Sequence, residues 1–143
     1  MQKTLLVLFS ALMLASCGSN QAVQKEAQTF IDEYTKTFVK LYTASSEAQW
    51  KSNIEIIPGD STNAVATQKT NEAFAEFTGS KENIDNARKF LEQKDKLTEL
   101  QVKQLEVILF GAANNPQTVA DVVKARIKAE TEQSDKLYGF NYM

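Results

Sequence analysis

The chain has 143 residues, 43% of them hydrophobic and 24% charged, with 16 Lys and Arg set against 18 Asp and Glu. That composition is ordinary for one globular domain and excludes a disordered chain, while the slight acidic excess, with no basic patch in view, argues against nucleic acid as a partner. Histidine is absent altogether, which removes His-x-x-x-His zinc sites, Ser-His-Asp triads and Cys-His pairs.

Five Gly and two Pro among many Ala, Gln, Glu, Lys and Leu bias the backbone to helix, since such side chains lose little rotamer freedom there. The expected fold is all-α: an antiparallel helical bundle, or set of hairpins, of about four to five helices following a cleaved signal peptide. A metal site of carboxylates alone is left open, but no EF-hand-like spacing of Asp and Asn is present. No catalytic, cofactor-binding or metal-ligating residue is therefore assigned.

Residues 1–16 read as an export signal, with Lys3 ahead of the apolar run from Leu5 to Ala15. The run is too short to span ~30 Å of hydrocarbon as a stable helix, so it serves targeting and then removal. Loss of Lys3 leaves 15 basic against 18 acidic side chains. Next comes Leu14-Ala15-Ser16-Cys17, which resembles the bacterial lipobox, in which small residues precede a cysteine that is diacylated and becomes the new amino terminus. As a nucleophile Cys17 lacks a base; as a lipid acceptor it needs only the sequence before it. Cys17 is accordingly the expected lipid anchor, and the membrane its partner. Gly18 stands where an Asp would signal retention in the inner membrane, so the outer membrane is the expected address. Two or three acyl chains give stable anchoring where one is marginal. Residues 17–21 are expected to form a short lipidated tether, and 22–143 a helical domain.

The first helix is expected from about Gln21 past Trp50, ending by Ile57 because Pro58 lacks an amide hydrogen and restricts the residue before it. Phe30, Ile31, Tyr34, Phe38, Leu41, Tyr42 and Ser45 fall on one side of it, and Asp32, Lys36 and Lys40 on the other. Residues 58–61 make a turn. A weaker amphipathic helix follows from Asn63 to Phe77, with Ala66, Thr70, Ala73, Phe74 and Phe77 inward and Gly79 placed to stop it. Ser80 reopens a helix carrying Ile84, Ala87, Phe90 and Leu91, and Thr98 three residues before Gln101 has capping-box spacing for the next.

The stretch Val107 to Ala113 is apolar all round. It is either the central helix of a small bundle, or a helix whose second face belongs against protein outside this chain. Asn115 is the expected N-cap and Pro116 the first position of the last helix. That helix should place Val119, Val122, Val123 and Ile127 inward, with Asp121, Lys124, Lys128 and Glu132 outward. Residues 137–142 read as an extended segment or turn. Trp50 and Tyr42, as aromatics at helical spacing, read as core rather than as a groove lining. Glu47 and Glu55 read as solvated surface rather than cation ligands, and Asp32, Glu33 and Lys36 as a surface charge cluster of small energetic weight.

With these segments placed, the chain resembles the amino-terminal part of the M2 family of zinc peptidyl-dipeptidases, the angiotensin-converting-enzyme-like peptidases. Three stretches carry the likeness: Phe30-Ile31-Asp32-Glu33-Tyr34 followed by residues 41–53, Ala87-Arg88-Lys89-Phe90, and Val122-Val123-Lys124-Ala125-Arg126 leading to Leu137-Tyr138-Gly139-Phe140. The resemblance covers essentially the whole expected mature chain and only the opening part of the family. It implies a helical lid over a deep cleft that admits short peptides. The family's zinc is held by a His-Glu-x-x-His helix and a later glutamate, and neither motif is in this sequence, so no ligand or general base carries over. The resemblance thus implies an exported, lipid-anchored lid portion, inactive by itself, parted from its catalytic portion by truncation, frameshift or incomplete sequence. A self-sufficient helical envelope lipoprotein that binds a protein partner is the alternative. A small hydrolase ranks last, because no nucleophile and base can be paired.

Overall fold

The computed structural model describes the backbone of residues 2–57 and 59–139, and the side chains of 20–57 and 59–139. Five α-helices follow one another: α1 (Gln2–Ile54), α2 (Thr62–Thr78), α3 (Lys81–Leu91), α4 (Glu99–Ala113) and α5 (Ala120–Tyr138). Single 3-10 turns, Lys94–Lys96 and Gln117–Val119, precede α4 and α5. No strand occurs among the described residues, and the fold is the expected all-α bundle.

The long α1 does not begin near Gln21 but at Gln2, running through the residues expected to be removed as a signal. The run from Leu5 to Ala15 is made of residues compatible with a helix, and one Gly at position 18 costs only about 1 kcal/mol relative to Ala, too little to end it. The helix stops at Ile54, ahead of Pro58, as the restriction on pre-proline geometry requires. In the following turn Gly59 has φ +82, a conformation that favours glycine. Asp60 then accepts a hydrogen bond from the Thr62 amide at 2.8 Å and another from its hydroxyl, opening α2. Those two bonds hold the Asp60 carboxyl below its ordinary range.

α1 pairs with α2, and α3 with α4, as antiparallel hairpins, while α5 packs chiefly on α2. The main core joins Ala27, Ile31 and Tyr34 of α1 with Ala87 and Phe90 of α3 and Leu105 and Ile108 of α4. Along it runs an aromatic spine. Phe30, Tyr34, Phe38 and Tyr42 follow at four-residue intervals on α1, their successive ring centroids 5.8–6.2 Å apart. Phe90 of α3 meets Phe30 at 5.8 Å, Phe77 of α2 meets Tyr34 at 5.0 Å, and Phe74 meets Phe38 at 5.3 Å. Tilted and edge-on pairs at these separations stabilise beyond their area by about 0.5–1.5 kcal/mol each. A second, smaller cluster consists of Ala75 of α2 with Val123 and Ile127 of α5.

The expected caps of the middle helices form. Ser80 Oγ accepts from the Asn83 amide, and Thr98 with Gln101 makes a reciprocal capping box. Gln101 is itself buried and reaches across to α1, donating to the Gln24 carbonyl at 2.8 Å. Burial of the Tyr34 side chain raises its phenol above the ordinary value of 10.0, because the low-polarity surroundings disfavour the phenolate. The neutral phenol is then held more tightly in the folded than in the unfolded chain. Its contribution is intact below pH 10 and is lost as pH rises from there through the folded value. Tyr34→Phe should therefore flatten the fall in denaturation midpoint above pH 10 while leaving the neutral-pH midpoint nearly unchanged.

Several expected positions differ. Ala66 and Ala73 face solvent, and the buried positions of α2 are Thr67, Ala75 and Thr78. Thr67 and Thr78 are buried by returning their hydroxyls to Asn63 O and Phe74 O of the preceding turn. Asn115 does not cap α5, which starts later, at Ala120. Because of that shift Val119 and Val122 are exposed and only Val123 and Ile127 turn inward. Asp121, Lys124, Lys128 and Glu132 face outward as expected. Leu137 and Tyr138, expected to be extended, continue α5, whereas residues 140–143 lie outside the described residues.

Candidate interaction cleft

One face of the bundle is not closed. An apolar cleft of about 920 Å³ runs between α1, α4 and α5, with α2 as its floor. On the α1 wall Tyr34, Phe38, Val39, Tyr42, Ser45 and Gln49 succeed one another at helical spacing, and α4 contributes Gln104, Val107, Ile108, Phe110 and Gly111. Arg126, Ile127 and Glu130 form the α5 side. Ser45 Oγ donates to Asn71 Oδ1 of α2, fixing the far end of the floor.

The α4 wall carries apolar side chains on both of its faces. Leu105, Ile108 and Ala112 point into the core, while Leu100, Val107 (67% exposed) and Phe110 (75%) form a stripe on the opposite side. The helix is thus apolar toward the core and apolar toward solvent. Val107 and Phe110 of this stripe also line the cleft. Gly111 adds to this: a Cβ there meets nothing within 4 Å.

At the α5 end of the cleft a buried polar network ties three elements together. Asn115 donates from Nδ2 to Thr78 Oγ1 at 3.0 Å and accepts at Oδ1 from Arg126 Nη2 at 2.8 Å. Gln117 donates from its amide to Gly79 O at 3.3 Å and from its side chain to Ala75 O at 3.2 Å. The Gln104 side-chain oxygen on the cleft wall is buried without a hydrogen-bond partner.

The residues singled out from the sequence fall as follows. Tyr42 and Trp50, both expected in the core, are not in it: Tyr42, 56% exposed, lines the cleft, and Trp50, 68% exposed, lies outside the cleft lining. Trp50 follows Gln49 directly in α1 but is turned to solvent. Glu47 and Glu55 are surface residues, Glu55 paired with Lys51 at 3.6 Å, and Asp32, Glu33 and Lys36 are exposed. Cys17, the expected lipid anchor, and residues 1–16, the expected signal, lie outside the described side chains. No group of three or more Cys, Asp or Glu able to hold a metal occurs among the described residues. No helix among them is long and apolar enough to cross a membrane.

Asn115 and Gly79 were not legible as a site, because their meaning comes from a contact across 36 positions of sequence. Compared with known families, curated proteins and solved structures, the chain matches none.

Proposed function

We propose that this chain is the amino-terminal lid portion of an M2-like zinc peptidyl-dipeptidase, exported as a lipoprotein anchored through Cys17 at the outer membrane and without peptidase activity by itself. The observation that carries the reading is the two-sided apolar character of α4. Of its exposed apolar residues Leu100, Val107 and Phe110, the last two line the cleft, which is how a helix looks when a further body of protein covers it. The position of the resembling stretches supports the same view. Residues 41–53 run along the α1 wall, where Tyr42, Ser45, Ser46 and Gln49 line the cleft, so a covering catalytic body would lie against them.

A lid of this kind contributes access control and no chemistry. The zinc of such an enzyme would be held by its catalytic portion, where it polarises the scissile carbonyl and activates water. The residues of this chain would shape the entrance.

The experiment is the intact mass of the membrane-extracted antigen, detected with an antibody to residues 22–53, joined to a zinc-supplemented assay on a short peptide. Expected are an antigen several times larger than 16.0 kDa that releases dipeptides, and no hydrolysis by the 143-residue chain alone. Hydrolysis by the isolated chain would overturn the assignment.

The alternative, a self-sufficient helical lipoprotein that binds a protein partner, is favoured by the closed core of α1, α3 and α4 with its satisfied caps. It requires a lipidated species no larger than 16.0 kDa that is monomeric, melts cooperatively and binds little hydrophobic dye.

A further inference from the structure

The buried clusters divide the molecule unequally. α1, α3 and α4 share a seven-residue core, whereas α5 is held to α2 by only Ala75, Val123 and Ile127. The amino terminus of α5 begins on Val119 with no side-chain cap. What fixes it instead is the Asn115 network, in which the side chain bridges Thr78 of α2 and Arg126 of α5 while nine-tenths of the residue is removed from solvent.

We propose that α5 is a flap on the cleft, opening as a unit about the loop that precedes it, with Asn115 as its latch. Elements with few buried apolar contacts open locally at lower free energy than the global transition, and α5 contributes only two buried apolar side chains, Val123 and Ile127, neither of them in the main core. Closed, it supplies Arg126, Ile127 and Glu130 to the cleft wall. Open, it would widen the cleft and uncover Ala75 of α2. Release needs either hydrogen bond of the Asn115 side chain to break, because the amide joins Thr78 of α2 to Arg126 of α5 in series. The Asn115–Thr78 half of the latch is buried, so water competes with it only after α5 has begun to move. This inference stands apart from the peptidase reading and would hold for a self-sufficient lipoprotein as well.

Amide hydrogen exchange on the purified chain tests it. The amides of α5 are expected to exchange through an opening that leaves α1, α3 and α4 protected. Asn115→Ala should accelerate α5 exchange roughly tenfold or more, the effect of losing one to two buried hydrogen bonds, without changing the other helices. Because Asn115→Ala risks misfolding, Arg126→Met provides a second variant: Arg126 is exposed along its stem and its loss leaves the core intact. It should produce the same selective acceleration, while Glu130→Gln, which removes only the 3.8 Å ion pair to Arg126, should not. Exchange of α5 at the same rate as the core helices, or uniform acceleration of all helices by both variants, would overturn the proposal.

Discussion

Gly79→Ala is expected to destabilise the protein by about 3 kcal/mol or more, the sum of overpacking and lost buried hydrogen bonds. A Cβ on Gly79 would stand 1.6 Å from the carbonyl oxygen of Asn115 and 2.6 Å from its carbonyl carbon. Both are backbone atoms, so no side-chain rotation relieves the clash. The loop after α4 must withdraw, and with it go the Gln117 amide bond to Gly79 O and the Asn115 bond to Thr78. The requirement is one of space and not of backbone conformation, for Gly79 has φ −91, a value any residue adopts. Gly111→Ala is the control. A Cβ there meets nothing within 4 Å, and the position is interior to a helix, so the change should stabilise by about 0.5–1 kcal/mol through helix propensity alone. Denaturant midpoints at constant slope measure both. A Gly79→Ala protein within about 0.5 kcal/mol of the parent would mean that the contact with Asn115 does not exist in solution.

The contrast between these two glycines shows what a sequence displays and what it conceals. Gly79 reads as a helix stop, and α2 does stop there, yet what demands glycine is the approach of a residue far along the sequence. Local signals were legible wherever the responsible atoms lie within a turn or two of each other. Ser80 with Asn83 and Thr98 with Gln101 form caps as their spacing requires. The four-residue rhythm of Phe30, Tyr34 and Phe38 became the aromatic spine, because a helix repeats that interval on one face whatever packs against it. Ile84, Ala87, Phe90 and Leu91 likewise came out half or fully buried.

Failures cluster where a boundary moved or where burial depends on a distant partner. Pro116 fits the first position of a helix, but its ψ of 115 is extended and a 3-10 turn follows before α5 begins. Moving the start of α5 beyond that turn rotates Val119 and Val122 out of the core. Trp50 carries the strongest apolar signal in its stretch and ends up in solvent, since hydropathy states what a side chain prefers and not whether a neighbour reaches it. The cleft was legible only in outline. An all-round apolar α4 announces two faces, but which face is inside depends on the hairpin with α3 and on where α1 lies.

Leu105→Ala should cost roughly 2–5 kcal/mol, the range for emptying a buried leucine site, and fall in the upper half of it. Leu105 is fully buried and belongs to the cluster in which α1, α3 and α4 meet. Helices joined as hairpins on both sides collapse poorly into a void, so the cavity term stays large. Val123→Ala removes fewer methylene equivalents, ~0.8 kcal/mol each, from the small α2–α5 cluster, and its effect should be about half as large. The two should also differ in kind. Loss of Leu105 lowers the midpoint of the whole cooperative transition, whereas loss of Val123 releases α5 ahead of it, seen as amide exchange confined to residues 120–138. Equal and uniform losses from the two substitutions would mean that the clusters form one cooperative unit, with α5 fused to the core and the cleft of fixed width.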